Sequence, residues 1–580
     1  MSEILYTSPE QDFLDRLNRE KEVARSFVER RQENWNDNYE LYRNKVKTNR
    51  LTQRQAVNVP LMKETIKTLL SKIDDPPVVT WKELGGDREK EIYLQEKWNN
   101  DFEKLNFEGI DIQDKKTALL YGRSFKKLNF ADKEFSVYAL DIFDIVIDPI
   151  VDPLDIETAR FLIHQNIFKT LRQILADARY SEEAKNELKK YLTSSEAIIQ
   201  SGENKDELEL KQERLLAMGV EKDDFENFSA GDVLFNLNEH FTKIWTPKKK
   251  KFEWYVVDYA NDKVILLKKP LEELLGIDFL PFTSWGEDIE TQDIWSDGPG
   301  DLVRTPNKIL NVWFSQMLEN RTLKNFQMHW YDSTIQGYQP QTYEPGPGRM
   351  LPAPGKPNEV IKPVEVSGLE DTLTQIDFLI KLIERGTAAT AIEKGVSEKK
   401  QITLGEVEML VGKAMERTLA MAKFYRRSWQ ELAMKWYKLR DANESNNNKV
   451  TLYKTSAKGK IWPKDIYGSD WKSKKGFKAV VQSSSEQEEE KTKGMQRLFF
   501  IKGQFPDNPA LSKIIQKRAL ELVDLTPEEI REVEEYEKKR MEMMAQPTQP
   551  PAVGGELEEE TLTQGIQART KELAGLTARI

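Results

Sequence analysis

The chain has 580 residues, more than a single core normally serves, so about two to four lobes are expected. Hydrophobic residues make up 39% and charged residues 32%, which fits a surface-rich soluble protein, and the absence of cysteine excludes disulfides, cysteine-ligated zinc and a thiol nucleophile. The net charge of −10 is local: residues 527–560 hold eleven Glu against four Lys and Arg, a net of −7, which leaves −3 for the rest. Repulsion of nucleic acid by the whole molecule therefore does not follow from it.

The N-terminus, MSEILYTSPEQDF, lacks a basic region followed by an apolar one, so no signal peptide is expected. No apolar run approaches the ~18 residues of a membrane span. Ser8-Pro9 opens a long amphipathic helix over 9–43, with Phe13, Leu17, Ala24, Phe27, Trp35, Tyr39 and Tyr42 on one face. A second helix runs to Ile73. DDPPVVTW then breaks the helix and starts an extended piece. Residues 86–107 and 111–121 read as helices. SFKKLNF, FSVYALD, IVID and FLIHQNI read as short strands. Asp141, Asp144 and Asp148 invite a metal-site reading. Strand alternation would put the first two on opposite faces, and a turn with Asp caps before Pro149 is the simpler account. Residues 168–218 read as charged, solvated helix. VLFNLNEHFTKIWT, FEWYVVDY and KVILLKK form an antiparallel meander, and the lysines at 248–251 suit a solubilising hairpin tip.

From Asp293 the chain becomes more distinctive. Thr305-Pro306 reads as a helix start, with Thr305 as cap. Leu310, Trp313, Phe314 and Met317, with Leu318, then make one apolar face. Seven prolines between Gln327 and Val366 forbid a long helix there. A capping box from Ser367 to Glu370 opens the next helix, whose stripe is Leu369, Leu373, Ile376, Ile380 and Ile383. A polar loop follows. A second box, Thr403 to Glu406, begins a helix of some 40 residues, or ~60 Å. Residues 449–478 carry nine lysines, two aspartates and five aromatics, and KVTLYKTS and KAVVQSSS read as strands of one small sheet. Basic residues among aromatics suit nucleic acid; a sheet with its rings inward and its lysines in water suits them equally. Residues 485–545 are helical and polar, and QPTQPPAVGG is a flexible linker.

No phosphate loop, nucleophile elbow, metalloprotease helix or calcium loop occurs in the sequence. Gly298-Pro299-Gly300 is no phosphate cradle, because Pro299 has no N–H to offer. No catalytic group, metal ligand or cofactor is therefore assigned.

The order helix, Pro/Gly insert, helix, polar loop, long helix resembles the core of the portal proteins of tailed double-stranded DNA bacteriophages. The residues that carry the likeness are Asp297-Gly298-Pro299-Gly300-Asp301 with Arg304 and Pro306-Asn307, WNDNYELYRNK from Trp35, and Val57-Asn58-Val59-Pro60. Tyr121-Gly122-Arg123 and the Asp141–Pro149 run add to it. The resemblance implies a mainly helical α+β fold and a closed, dodecameric ring. It implies a wing at 1–295 and 404–485, stem helices at 296–325 and 367–386, and a clip at 326–366. It also implies a tunnel loop at 387–403, crown helices at 486–545 and a tail at 546–580. It further implies a non-enzymatic role in the virion: a channel for non-specific double-stranded DNA at one capsid vertex, serving genome packaging, retention and ejection. The partners implied are the terminase large subunit, head-tail adaptor proteins, and the major capsid and scaffolding proteins, with assembly in the host cytoplasm and no membrane. In that frame Lys394, Lys399 and Lys400 touch DNA, and Leu310, Trp313, Phe314, Met317, Leu373, Ile376, Ile380 and Ile383 pack the stem. Two other classes remain open: a metal-dependent nucleic-acid-processing enzyme at Asp141–Asp148, and a virion scaffold protein without a channel.

Overall fold

The computed structural model describes residues 10–44, 57–73, 77–131, 134–193, 234–325, 329–331, 361–363, 372–387, 404–455 and 461–504, with a few isolated positions besides. The chain divides into two compact units, residues 1–485 and 486–580.

The first unit is α+β. Helix α1 (Glu10–Arg43) buries Phe13, Leu17, Ala24 and Trp35, while Phe27 is exposed. After α2 (Leu61–Lys72) and β1 (Pro77–Glu83), the Asp87 side chain caps α3 (Arg88–Lys104). Asn106, in the left-handed region at φ 51°, turns the chain into α4 (Phe107–Tyr121) and caps it with its own side chain. Strands β2 (Arg123–Ala131) and β3 (Glu134–Ala139) follow, then a 3₁₀ turn (Ile142–Asp144) and β4 (Ile145–Ile147). Asp141 caps the 3₁₀ turn by accepting from Phe143 N, and Asp148 accepts from Ile150 N beyond Pro149, as the reading of this run as an Asp-capped turn expects. Next come β5 (Phe161–Thr170), α5 (Leu171–Ala176) and α6 (Glu182–Thr193). The meander is β6 (Leu234–Thr246), β7 (Lys251–Ala260) and β8 (Val264–Pro270), followed by α7 (Leu271–Leu274) and β9 (Phe282–Gly286).

The second half runs through α8 (Pro299–Asn325), β10 (His329–Tyr331), β11 (Ile361–Pro363), α9 (Thr372–Thr387) and α10 (Leu404–Asn443). It ends in β12 (Lys449–Thr455), β13 (Ile461–Tyr467), α11 (Gly468–Trp471) and β14 (Phe477–Ser483). Helix α12 (Ser484–Gln504) leads into the second unit.

The strands pair antiparallel throughout, in the orders β4-β5-β6-β7-β8 and β3-β2-β9 and the pairs β1-β14, β10-β11 and β12-β13. KVTLYKTS and KAVVQSSS do not share a sheet. The first pairs with β13, and the second pairs with β1, where Val79 faces Val481. A local reading could not find that partner, since it lies at the other end of the unit.

The core is aromatic. Trp98 stacks on Phe107 at 5.4 Å and meets Trp436 edge-on at 5.0 Å, while Trp81 lies 5.9 Å from Trp98. Most buried indoles find an acceptor for the N–H. Trp436 donates to Asp101 at 3.0 Å, Trp429 to Asp111 at 3.2 Å and Trp285 to Asp114 at 2.7 Å. Each of these carboxylates is itself buried and held by a cation: Arg440 at 2.6 Å, Lys115 at 2.6 Å and Lys126 at 2.5 Å respectively. The acids sit on α3 and α4 and most of the donors on α10 and the β2-β9 ladder, so these bonds join distant parts of the sequence.

Asp114→Ala leaves Lys126 without its counter-charge in a dry interior and is expected to lower stability by about 3–5 kcal/mol in urea denaturation. Adding Lys126→Met should recover part of that loss. A single variant within about 1 kcal/mol of the parent would mean that this pair is not dry.

Candidate assembly surface

Helix α8 starts two turns before the expected cap. Pro299 takes the first helical position; Asp301 accepts from Gly298 N at 3.1 Å, and its own N–H donates to Gly298 O at 3.0 Å. Thr305 is therefore an exposed interior residue and not a cap, and Pro306 lies inside the helix, where it has no N–H for the carbonyl of Leu302. Both Pro299 and Thr305-Pro306 carry the proline signal, and the Gly298–Asp301 geometry decides for the earlier one.

The base of α8 gathers the stretches singled out in the sequence. Asn38 donates to Leu120 O at 2.9 Å and to Asp301 at 3.1 Å, and Arg304 reaches Asp301 at 2.5 Å. Asn307 accepts from Met62 N at 2.9 Å, and Asn311 accepts from Val59 N at 2.9 Å, so the Val57–Pro60 run is docked on α8 by side-chain amides. Trp35 meets Trp295 and Phe143 edge-on, both at 5.5 Å. Gly122 adopts φ 87°, and a Cβ there would come within 1.9 Å of Ser296 O; one at Gly300 would come within 2.3 Å of Leu120 O. Only glycine permits this approach.

Beyond this anchor α8 packs along α9, and β10 pairs with β11 in the stretch between them. Leu310, Ile376 and Ile383 are buried, and Trp313, Phe314, Met317 and Ile380 are half-buried against the core. Leu373, expected in the same stripe, is exposed in the first turn of α9. The pair thus covers most of the expected stripe within one chain. A second apolar set stays uncovered: Leu302, Ile309 and Val312 (52% exposed) on α8, and Phe378 (66%) and Leu382 on α9. The spacings i, i+7, i+10 and i, i+4 put each group on one helix face. Sequence reading missed this second set. Its signal was excess: seven of the eleven residues from Leu373 to Ile383 are apolar, too many for one stripe.

Ser367, Thr403, Lys394, Lys399 and Lys400 lie outside the described residues.

The aspartates at 141, 144 and 148 are each engaged by their surroundings. Asp144 accepts from Asn166 at 3.1 Å, and Asp148 binds Arg160 through both oxygens at 2.7 Å while also accepting from two backbone N–H groups. Among the described residues no cluster of three or more His, Asp or Glu has metal-binding geometry. No described helix is long and apolar enough to cross a membrane.

A cleft of about 580 Å³ lies between the three-stranded sheet and the meander, lined by Lys127, Asp177, Arg179 and Glu239 with Phe130, Phe241 and Leu274. Burial works against the Glu239 charge, yet Lys127, with which it pairs, and His164, 3.6 Å away, hold its carboxyl well below the usual range. Burial and the Glu239 charge push neighbouring Asp258 up to about 7. The cations here are matched by acids, so the cleft has no evident preference for a charged ligand.

No family model matches this sequence, and no curated protein matches it.

The folded Asp258 carboxyl holds its proton up to about pH 7, against 3.8 for the ordinary group. Between those values the folded state binds more protons than the unfolded one, so this site makes stability fall as pH rises, with no further change above the folded pKa. Asp258→Asn should flatten that slope when urea midpoints are compared from about pH 4 to 8. An unchanged slope would assign the pH dependence to other groups.

Proposed function

We propose that this chain is a portal protein: a subunit of a closed ring through which double-stranded DNA enters and leaves a capsid. The observation that carries the reading is the α8–α9 pair, a helix hairpin fixed to a rigid base with a second apolar face left in water. A monomer has no use for exposed Val312, Ile309, Phe378 and Leu382 on adjoining helices. Copies of the same hairpin arranged about an axis bury each such face against the next, and a heterologous contact of that kind closes when the rotation divides the circle. The order of elements around the hairpin supports the same reading, and so does the convergence of the resembling stretches on the base of α8.

The mechanism is geometric. A channel that lets DNA slide must not hold any one phosphate strongly, because each fixed cation adds to a salt-dependent grip. The loop between α9 and α10 carries Lys394, Lys399 and Lys400 against Glu393 and Glu398, a net of +1, which suits brief contacts. In this reading the segment between α8 and α9 docks the packaging motor and later the tail adaptors. The competing enzyme reading gains nothing from Asp141–Asp148, whose carboxylates already serve a turn, an amide and an arginine.

Symmetry-averaged electron micrographs of the purified chain should show rings with a central hole. A chain that stays monomeric at high concentration would overturn the proposal. Val312→Glu with Phe378→Glu should abolish rings while leaving the monomer's melting curve close to that of the parent, since both side chains are exposed. Reversing Lys394, Lys399 and Lys400 to Glu should leave rings intact but reduce packaged or retained DNA; normal packaging would remove these lysines from the channel.

A further inference from the structure

A second surface on the first unit is unlike the helix hairpin. Between the N-terminal half of α1 and the β6–β7 hairpin runs a cleft of about 870 Å³. Its apolar lining is partly open to solvent. Val23 is exposed on α1, and Trp245 (45% exposed) and Phe252 (65%) meet edge-to-face across the hairpin at 5.2 Å. Buried Phe161 lines the cleft beside them. Trp and Phe this exposed, side by side, mark a contact surface on a soluble protein.

The rim is cationic. Arg16, Arg19, Arg160 and Lys243 line the cleft with one carboxylate, Glu20, and the Asp148 carboxylate behind Arg160 brings the net to +2. Glu20 is already used, by Arg16 at 2.9 Å and by buried His240 at 3.1 Å. Two of the cations are held in place. Arg160 is locked by the paired bonds to Asp148 with its side chain 62% exposed, and Lys243 donates to Glu157 O at 2.7 Å while lying 4.6 Å from the ring centre of Trp254. Arg19 is exposed on the helix above them. Fixed cations around an apolar floor select a ligand that is acidic at its edges and apolar in the middle.

We propose that this cleft docks an acidic amphipathic helix from a partner protein, its Leu or Phe side chains against Val23, Trp245 and Phe252 and its carboxylates toward Arg19, Arg160 and Lys243. This is the helix-in-groove mode of recognition. Nucleic acid is the other polyanion to consider, and the geometry favours protein. Single strands bind by stacking bases on open ring faces along a track of cations. Here the two rings meet edge-to-face and do not stand apart as successive stacking platforms, and apolar side chains line the cleft together with the cations. The inference does not depend on ring assembly.

The test uses the full chain and three fluorescent probes. One is a synthetic helix of about 18 residues, five turns, with Leu at i, i+3, i+4 and i+7 and Glu elsewhere. The second has Lys in place of each Glu, and the third is an oligothymidylate. The acidic helix should bind, more weakly as salt rises, and the lysine helix should not. Trp245→Ala and Arg19→Glu alter exposed side chains and should fold as the parent does, which their melting curves check. Each should weaken the acidic helix by about tenfold or more. Arg19→Glu should also gain affinity for the lysine helix, a result that loss of structure cannot produce. No binding of the acidic helix would overturn the proposal, as would binding that ignores both substitutions. Oligothymidylate bound in its place, in a Trp245-dependent way, would give the cleft to nucleic acid instead.

Discussion

A carboxylate buried away from water must be met by donors or it will not stay charged. Asp101, Asp111 and Asp114 set that requirement at three points on α3 and α4, and each is met by an indole and a cation. Asp101 and Trp436 are 335 residues apart in the chain, so satisfying the first carboxylate already fixes α10 against α3. The aromatic rings then pack around these fixed points. Replacing the acids by apolar residues would keep the oil but lose the register, because indole N–H groups need acceptors in particular places.

That register determines where α8 begins. α4 is held by Asp111 and Asp114, and it ends at Gly122, whose bare backbone lies against Ser296. The same approach brings Gly300 onto Leu120, and Asn38 ties Leu120 and Asp301 together. Helix α8 is therefore clamped at its first turns by α1, α2 and α4, and its later turns rest on α9. Burial at about 25 cal/mol per Å² of apolar surface gives the uncovered faces of α8 and α9 a strong preference for contact. The clamp at the first turns of α8 sets the direction in which those faces point.

Much of this was legible in the sequence, and what was not has identifiable causes. α1 and α10 stand within a residue or so of their expected ends, and β2 through β8 fall on the short β-type runs read from the sequence, because these signals are local. Thr305-Pro306 imitates a helix start that Pro299 already supplies, so the local pattern alone places the start of α8 too late. The β1-β14 pair was hidden because no local pattern names a partner in another half of the chain. The apolar stripe of α8 and α9 is legible in the sequence, and its Leu310, Ile376 and Ile383 turn inward within the chain; the exposed faces carry Val312 and Phe378, which the periodicity does not single out. One chain's periodicity tells which residues share a face; it does not tell whose surface covers that face.

The two open surfaces differ in chemistry, and the difference bears on their use. The uncovered α8–α9 stripes are mainly branched and aromatic hydrocarbon, which is the character of interfaces that form once and stay formed. The cleft beside Trp245 mixes exposed rings with cations held by Asp148 and by a backbone carbonyl, so part of its attraction is Coulombic and weakens with salt. Contacts of that kind gain speed and selectivity more than permanence. The two surfaces lie on different elements of the first unit, one on the helix hairpin and one between α1 and the meander.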